Sequence, residues 1–215
     1  MNNQSHTIEI YNRYVKEYSD KFMNLDLYKD TFDYLVDKLP TGANVLELGC
    51  GPGNVARHLM SKRADLQMLG IDLAPNMIEA ARKANPGAEF RLLDIRHARE
   101  IHRHFHGVIA AFCIPYLAVE DLTGLFVNMK RLTTEKKGMI YLSFMEGPRE
   151  RSGFEKTSFT GTSEMYINYY PRNAIESMMK EHDFVIKKLY TKDYPETDGS
   201  TTTDLIYIAE RCKLS

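Results

Sequence analysis

The chain has 215 residues, 43% of them hydrophobic and 27% charged, a balance near the globular average that excludes a disordered polymer and a coiled coil. That length suits one α/β domain over residues 1–215. The 28 basic residues stand against 29 acidic ones, and no basic block exceeds Lys136-Lys137, so nucleic acid is excluded as an expected partner.

In chain order, Tyr11, Tyr14 and Tyr18 come first, at spacings that put all three on one helix face. Short runs rich in Val, Ile, Leu and Phe then predict strands at Asn44–Leu48, Gln67–Ile71, Glu89–Leu93, Gly107–Phe112 and Gly138–Phe144. Helices are predicted between them. Asn54 to Arg63 carries Val55, Ala56, Leu59 and Met60 at helical spacing, Pro75 opens a helix with Met77, Ile78 and Ala81 as its apolar stripe, and Leu122 to Leu132 has Leu125, Phe126 and Met129 on one face. Such alternation predicts a doubly wound, mostly parallel sheet with helices on both faces. The chain end differs: Pro171–His182 is helical, while Phe184–Tyr190 and Asp204–Glu210 have only a Gly/Ser/Thr/Asp-rich loop between them and should pair as an antiparallel hairpin. Residues 146–170 are too mixed in polarity for any element and long enough to be functional.

Ligands of open α/β sheets bind beyond the carboxyl ends of the strands, and Gly49, Gly51 and Gly53 fall there, directly after Val45-Leu-Glu-Leu48. Glycines allow a left-handed turn and close backbone approach at a helix start. The dinucleotide fingerprint wants its third small residue inside the helix, where this chain has Asn54. Glu47, two residues before the first glycine, suits a cation or an amino group better than a pyrophosphate.

Glu47-Leu-Gly-Cys-Gly-Pro-Gly53 resembles the first motif of the class I S-adenosylmethionine-dependent methyltransferases. Leu69-Gly-Ile-Asp-Leu-Ala-Pro-Asn-Met77 is similar to the second, and Leu93-Asp-Ile95 to the third. The resemblance runs from about Tyr11 to Glu210 and implies the seven-stranded methyltransferase sheet, with S-adenosylmethionine as cofactor. It places that cofactor against Glu47, Gly49, Cys50 and Gly51, gives Asp72 to the ribose hydroxyls with Leu73 and Met77 beside it, and gives Asp94 and Ile95 to the adenine. Phe112 is expected at the cofactor from the end of the fourth strand. Residues 1–40 resemble the family's lid helices, with Tyr18 covering the cofactor. Tyr11, Tyr14, Tyr116 and Tyr169 are expected around a small-molecule methyl acceptor, between the lid and the 146–170 insertion.

Pro115 and Tyr116 stand where many relatives carry histidines, so no acid/base role transfers to them, and the general base is unassigned. Asp183 replaces a glycine common before the sixth strand and is expected to tolerate the left-handed turn. His97, His102, His104 and His106 lack Cys, Asp or Glu at ligand spacing, so no metal is expected. Cys50, Cys113 and Cys212 are too widely spaced for a disulfide framework or zinc site and fit a reducing compartment. The first residues lack an export signal pattern, and no run reaches the roughly 18 apolar residues of a membrane crossing. The expectation is a cytoplasmic monomer or homodimer, away from membranes. Two rival functions stay open: a cofactor-binding regulator or scaffold without catalysis, and a nicotinamide-dependent oxidoreductase, against which Asn54 and Glu47 argue.

Overall fold

The predicted apolar runs form five parallel strands, β1 (Asn44–Leu48), β2 (Gln67–Asp72), β3 (Glu89–Leu92), β4 (Gly107–Ala110) and β5 (Met139–Met145). They are seen in a computed structural model that describes residues 3–195, 199 and 201–212. A hairpin of β6 (Gly153–Lys156) and β7 (Glu164–Ile167) stands apart from the main sheet. The long strands β8 (Phe184–Pro195) and β9 (Thr201–Arg211) complete a seven-stranded sheet of order β3-β2-β1-β4-β5-β9-β8, with β9 antiparallel to both neighbours. Both strands run further than the sequence predicts, through 191–195 and 201–203, and of the loop left between them only Gly199 is among the described residues.

Helices α3 (Lys29–Lys38), α4 (Asn54–Lys62) and α5 (Pro75–Ala84) cover one face of the sheet, and α6 (Val119–Leu132) and α7 (Arg172–Glu181) the other. Central strands so covered are buried on both sides, which is why β1 and β4 are apolar almost throughout. The expected helix stripes are the buried ones: Val55, Ala56 and Leu59 on α4, Met77, Ile78 and Ala81 on α5, and Leu125, Phe126 and Met129 on α6. Each large apolar side chain buried this way contributes about 1.5–3 kcal/mol.

Three local differences from the expected elements bear on the site. The first helix is two, α1 (Asn3–Arg13) and α2 (Val15–Phe22), broken at Tyr14, whose φ of −111° and ψ of 36° are not helical. Strand β4 stops at Ala110 because Phe112 takes a φ of 59° and turns the chain out of the ladder. The 146–170 segment is ordered around the β6–β7 hairpin, whose face contacts alternate between half-buried and exposed or buried positions rather than forming an apolar run. Asp183 does take the left-handed turn, with φ 63°, and pairs with Lys130 at 2.6 Å. Among the described residues no helix is long and apolar enough to cross a membrane.

Candidate functional site

The glycine loop is folded by constraints from three sides. Gly49 and Cys50 both donate their N–H to the Ile71 carbonyl, at 2.8 and 2.9 Å, which ties the loop to the end of β2. Gly49 has φ 73°, and a Cβ there would stand 2.7 Å from the Cys113 Cβ, so the loop can lie against the turn after β4 only with glycine. Gly53 has φ 81° and packs against buried Asn85, whose amide donates to the Gly53 carbonyl at 3.0 Å. Of the other loop N–H groups, Gly53 donates to the Cys50 carbonyl at 3.0 Å and Gly51 to Asp72 Oδ2 at 2.9 Å.

Three carboxylates ring this loop in different electrostatic states. Glu47 is 2% exposed and its Oε2 has no hydrogen-bond partner among the described residues. Burial first, then the charge of Asp72, pushes its carboxyl well above the usual range, against one N–H from Ala56. Asp72 ends β2 and also accepts from the Ala74 N–H at 2.8 Å. Burial raises it too, although N–H groups of Ala74, Gly51 and Leu73 favour its ionised form. Asp94 behaves oppositely: burial acts to raise it, but the Arg96 guanidinium and backbone N–H prevail and hold it below the usual range. A buried carboxylate oxygen without a partner beside glycine amides fits a ligand that brings positive charge and hydrogen-bond donors.

Helices α1 and α2, the expected lid, pack over this edge through ring contacts and hydrogen bonds. Tyr18 Cε1 lies 3.8 Å from where a Gly51 Cβ would be. Tyr11 meets Tyr18 and Tyr116 edge to face, both at 5.4 Å between ring centroids, and stacks on Phe159 of the insertion at 5.7 Å. Asn12 accepts the Asn76 N–H at 2.8 Å, satisfying an orphan donor of the first turn of α5. The Asn54 amide donates to the Phe22 carbonyl at 3.0 Å, and His6 Nε2 lies 3.0 Å from the Glu164 carbonyl of β7.

Beyond Tyr18 lies a cavity of about 660 Å³, within the usual range for small-molecule sites, between the lid, the ends of β4, β5 and β9, and the β6–β7 hairpin. Of the expected acceptor residues, Tyr11 and Tyr116 line it, as do Tyr18 and Phe112. Tyr14 and Tyr169 do not; they pack with Ile10, Met165 and Ile167 beneath the hairpin, where Tyr169 is buried and donates its hydroxyl to Glu155. Of the expected cofactor residues, Cys50 and Met77 are fully buried, and Leu73 and Ile95 are half-buried. Sequence reasoning missed Tyr28, Ser143 and Asp204, all in the cavity wall. Ser143 accepts the N–H of strained Phe112 at 2.7 Å, and Tyr28 donates to Asp204 Oδ2 at 2.5 Å. A visible signal existed for Asp204: it continues, at a period of two, the buried row of Ile206 and Ile208.

Burial raises the phenols of Tyr11 and Tyr18, pushes Tyr116 up to about 12, and raises the thiols of Cys50 and Cys113, the latter to about 12. None of these groups is a base near neutral pH. The four clustered histidines are elsewhere: His102 and His104 are exposed on an irregular stretch, not a strand, and His106 Nδ1 accepts the Asn44 N–H at 3.0 Å. Among the described residues no three His, Cys, Asp or Glu side chains are grouped as a metal site requires.

The family described as "Methyltransferase domain" matches residues 45–138, from β1 to the start of β5. A putative methyltransferase of invertebrate iridescent virus 6 is 30% identical over 93 residues, 40% of this chain and 35% of that protein. The demethylmenaquinone methyltransferase of Thermotoga maritima is 26% identical over 66% of this chain and 70% of its own length. The match spans about a third or less of the first curated relatives. Magnesium protoporphyrin IX methyltransferase from Synechocystis, solved with bound S-adenosylmethionine, shares the fold over 98% of both chains, with a TM-score of 0.70 at 17% identity. The glycine loop, Asp72 and Asp94 stand on this sheet in the order that the methyltransferase motifs imply, and over residues 45–138 the chain is similar to the methyltransferase domain family.

Proposed function

We propose that the protein transfers a methyl group from S-adenosylmethionine to a small-molecule acceptor. The observation that carries this is Tyr18, whose ring lies over Gly51 and also lines the 660 Å³ cavity, so one side chain separates a motif-built cofactor edge from a space sized for an acceptor. S-adenosylmethionine supplies a methyl carbon made electrophilic by its sulfonium. The residues that would hold it are Glu47, Gly49, Cys50 and Gly51 at the amino-acid end, Asp72, Leu73 and Met77 at the ribose, and Asp94 with Ile95 at the adenine. Burial pushes the carboxyls of Glu47 and Asp72 up, and a cationic ligand would stabilise their anionic forms.

The rest of the chemistry is positional. A sulfonium leaving group needs no protonation, so the protein acts by orienting the acceptor and excluding water, and orientation alone can supply about 7–11 kcal/mol. Tyr11, Tyr18, Tyr116 and Phe159 form the water-excluding seal, and residues 1–40 and 146–170 are the two walls that must part to admit ligands. Calorimetric titration with S-adenosylmethionine, S-adenosylhomocysteine and NAD tests the cofactor, with binding of the first two only expected. Incubation with labelled donor and metabolite pools tests transfer. Failure of both adenosyl ligands to bind refutes the proposal, and binding without transfer to any pool leaves a regulator in place of an enzyme.

A further inference from the structure

We propose that Phe159, at the tip of the β6–β7 hairpin, is a positioning residue that holds Tyr18 over the glycine loop, so that the 146–170 insertion governs the cofactor edge. This deepens the function proposed above and rests on that reading only in taking S-adenosylmethionine as the ligand of the loop.

Helix α2 carries Tyr18 but cannot hold its own position. It has 8 residues, fewer than the roughly 12–15 below which an isolated helix is marginal in water, so tertiary contacts must order it. None of its residues is buried: Tyr18, Lys21 and Phe22 are half-buried, whereas Phe32 and Leu35 of α3 and Leu59 of α4 are fully enclosed. The placement of Tyr18 therefore depends on the rings that meet α2 from outside it.

Both helices converge on Phe159. Its ring stacks on Tyr11 of α1 at 5.7 Å between centroids, and meets Tyr18 and Phe22 of α2 edge to face at 5.3 and 6.3 Å, separations at which aromatic pairs attract. These contacts fall on both sides of the break at Tyr14. The adjacent Ser158 carbonyl accepts from Lys21 Nζ at 2.7 Å and adds a polar tie between α2 and the hairpin tip. Tyr18 in turn has Cε1 3.8 Å from where a Gly51 Cβ would be, so contact runs from Phe159 through Tyr18 to the glycine loop. The tip is built to present this ring. In the loop 157–163, Thr157 donates its N–H to the Ser163 carbonyl at 2.8 Å, Gly161 donates to the Thr157 carbonyl at 2.9 Å, and Ser163 donates to Thr160 Oγ1 at 2.9 Å. The hydroxyls of Thr157 and Thr160 are 2.6 Å apart, and Thr157 is buried. None of these bonds uses the Phe159 side chain, so the loop holds its shape while the ring is spent on α1 and α2. Phe159 lines the cavity beside Tyr18, which puts the acceptor space and the cofactor edge under one contact.

The test is calorimetric titration of the full chain and its variants with S-adenosylhomocysteine, beside deuterium exchange of the ligand-free proteins. Phe159→Ala is expected to weaken S-adenosylhomocysteine roughly 10-fold and to speed exchange at the α2 amides, while β1 and β2 keep their protection. Phe159→Tyr, which keeps the ring, should restore both. Phe154→Ala is the control: that ring belongs to the same hairpin but pairs with Tyr166 outside the cavity wall, and its loss should leave affinity and α2 exchange unchanged. A double-mutant cycle separates positioning from general support of the hairpin. If Phe159 acts through Tyr18, Phe159→Ala in a Tyr18→Ala background should weaken S-adenosylhomocysteine by less than about 2-fold. A further loss of roughly 10-fold in that background, or unchanged affinity and exchange in Phe159→Ala, overturns the proposal. Thermal unfolding verifies that each variant is folded, and Phe159→Leu, which removes the ring but keeps apolar bulk, takes the place of Phe159→Ala if the latter does not fold. If S-adenosylhomocysteine fails to bind even the unaltered chain, the cofactor reading falls and α2 exchange alone decides: faster exchange in Phe159→Ala upholds the positioning role, and unchanged exchange removes it.

Discussion

Replacing Gly49 by alanine separates two costs that the glycine loop avoids. The first is conformational: at φ 73° an alanine sits in the left-handed region, which costs roughly 1–2 kcal/mol. The second is steric, because the new Cβ would be 2.7 Å from the Cys113 Cβ, far inside the roughly 3.5–4.0 Å of an ordinary carbon contact. Cys113 Cβ is fixed to its backbone and cannot rotate away, so relief requires moving the turn after β4, an overpacking cost of about 1–3 kcal/mol. Against both stands the smaller unfolded-state entropy of alanine, worth about 0.4–1 kcal/mol. The net destabilisation expected for Gly49→Ala is about 2–4 kcal/mol. Gly42→Ala is the control, since Gly42 has φ 66° with nothing within 4 Å of a Cβ, leaving only the conformational cost of about 1 kcal/mol net. Urea unfolding followed by tyrosine fluorescence, usable because the chain has 13 Tyr and no competing Trp, gives both values. If the two variants agree within about 0.5 kcal/mol, packing against Cys113 is not what requires glycine at position 49. Adding Cys113→Gly to Gly49→Ala should recover at least about 1 kcal/mol relative to additivity, since the two sites touch.

Titration of the buried acids gives a second expectation. Because the folded chain holds the Glu47 and Asp72 protons more tightly than the unfolded one, stability without ligand should fall as pH rises from their ordinary values of 4.5 and 3.8 through the raised ones, and Glu47→Gln should flatten that slope. Over the same window S-adenosylhomocysteine should bind more tightly as pH rises, with proton release visible as a buffer-dependent heat. An affinity independent of pH would show that neither acid meets the ligand's charge. Ser143→Ala leaves the half-buried Phe112 N–H without its acceptor and should cost about 1–3 kcal/mol in urea unfolding; a loss below about 0.5 kcal/mol would mean that the strained turn is held by packing alone. Asn12→Ala removes the latch between the lid and α5 and should speed deuterium exchange at the Asn76 amide and proteolysis before Val15, while leaving the sheet protected. Unchanged exchange at Asn76 would show that the aromatic seal, not this hydrogen bond, keeps the lid down.

The parts of this molecule that were legible in sequence are those where one physical demand acts on consecutive residues. Parallel strands covered on both faces must be apolar throughout, and helix stripes must repeat at 3.6, so β1, β2 and the buried faces of α4, α5 and α6 lay open to inspection. The glycine-loop edge was legible for a related reason, because Gly49 to Gly53 and Asp72 are each dictated locally by the strand-to-helix turn they occupy. The cavity was not, since its wall joins residues far apart in the chain: Tyr28 to Asp204, 176 positions on, and Phe112 to Ser143, 31 positions on. No local pattern records such pairings. Where a local signal did mislead, a tertiary contact had the larger energy. Tyrosine spacing predicts one helix face for Tyr11, Tyr14 and Tyr18, but the chain breaks at Tyr14 so that Tyr14 packs with the hairpin cluster while Tyr11 and Tyr18 meet over the glycine loop. Asp204 shows the converse, a residue that violates the period-two apolar pattern of its own strand. Departures of that kind, where the local rule fails and the fold tolerates the cost, are where the specificity of this site is to be sought.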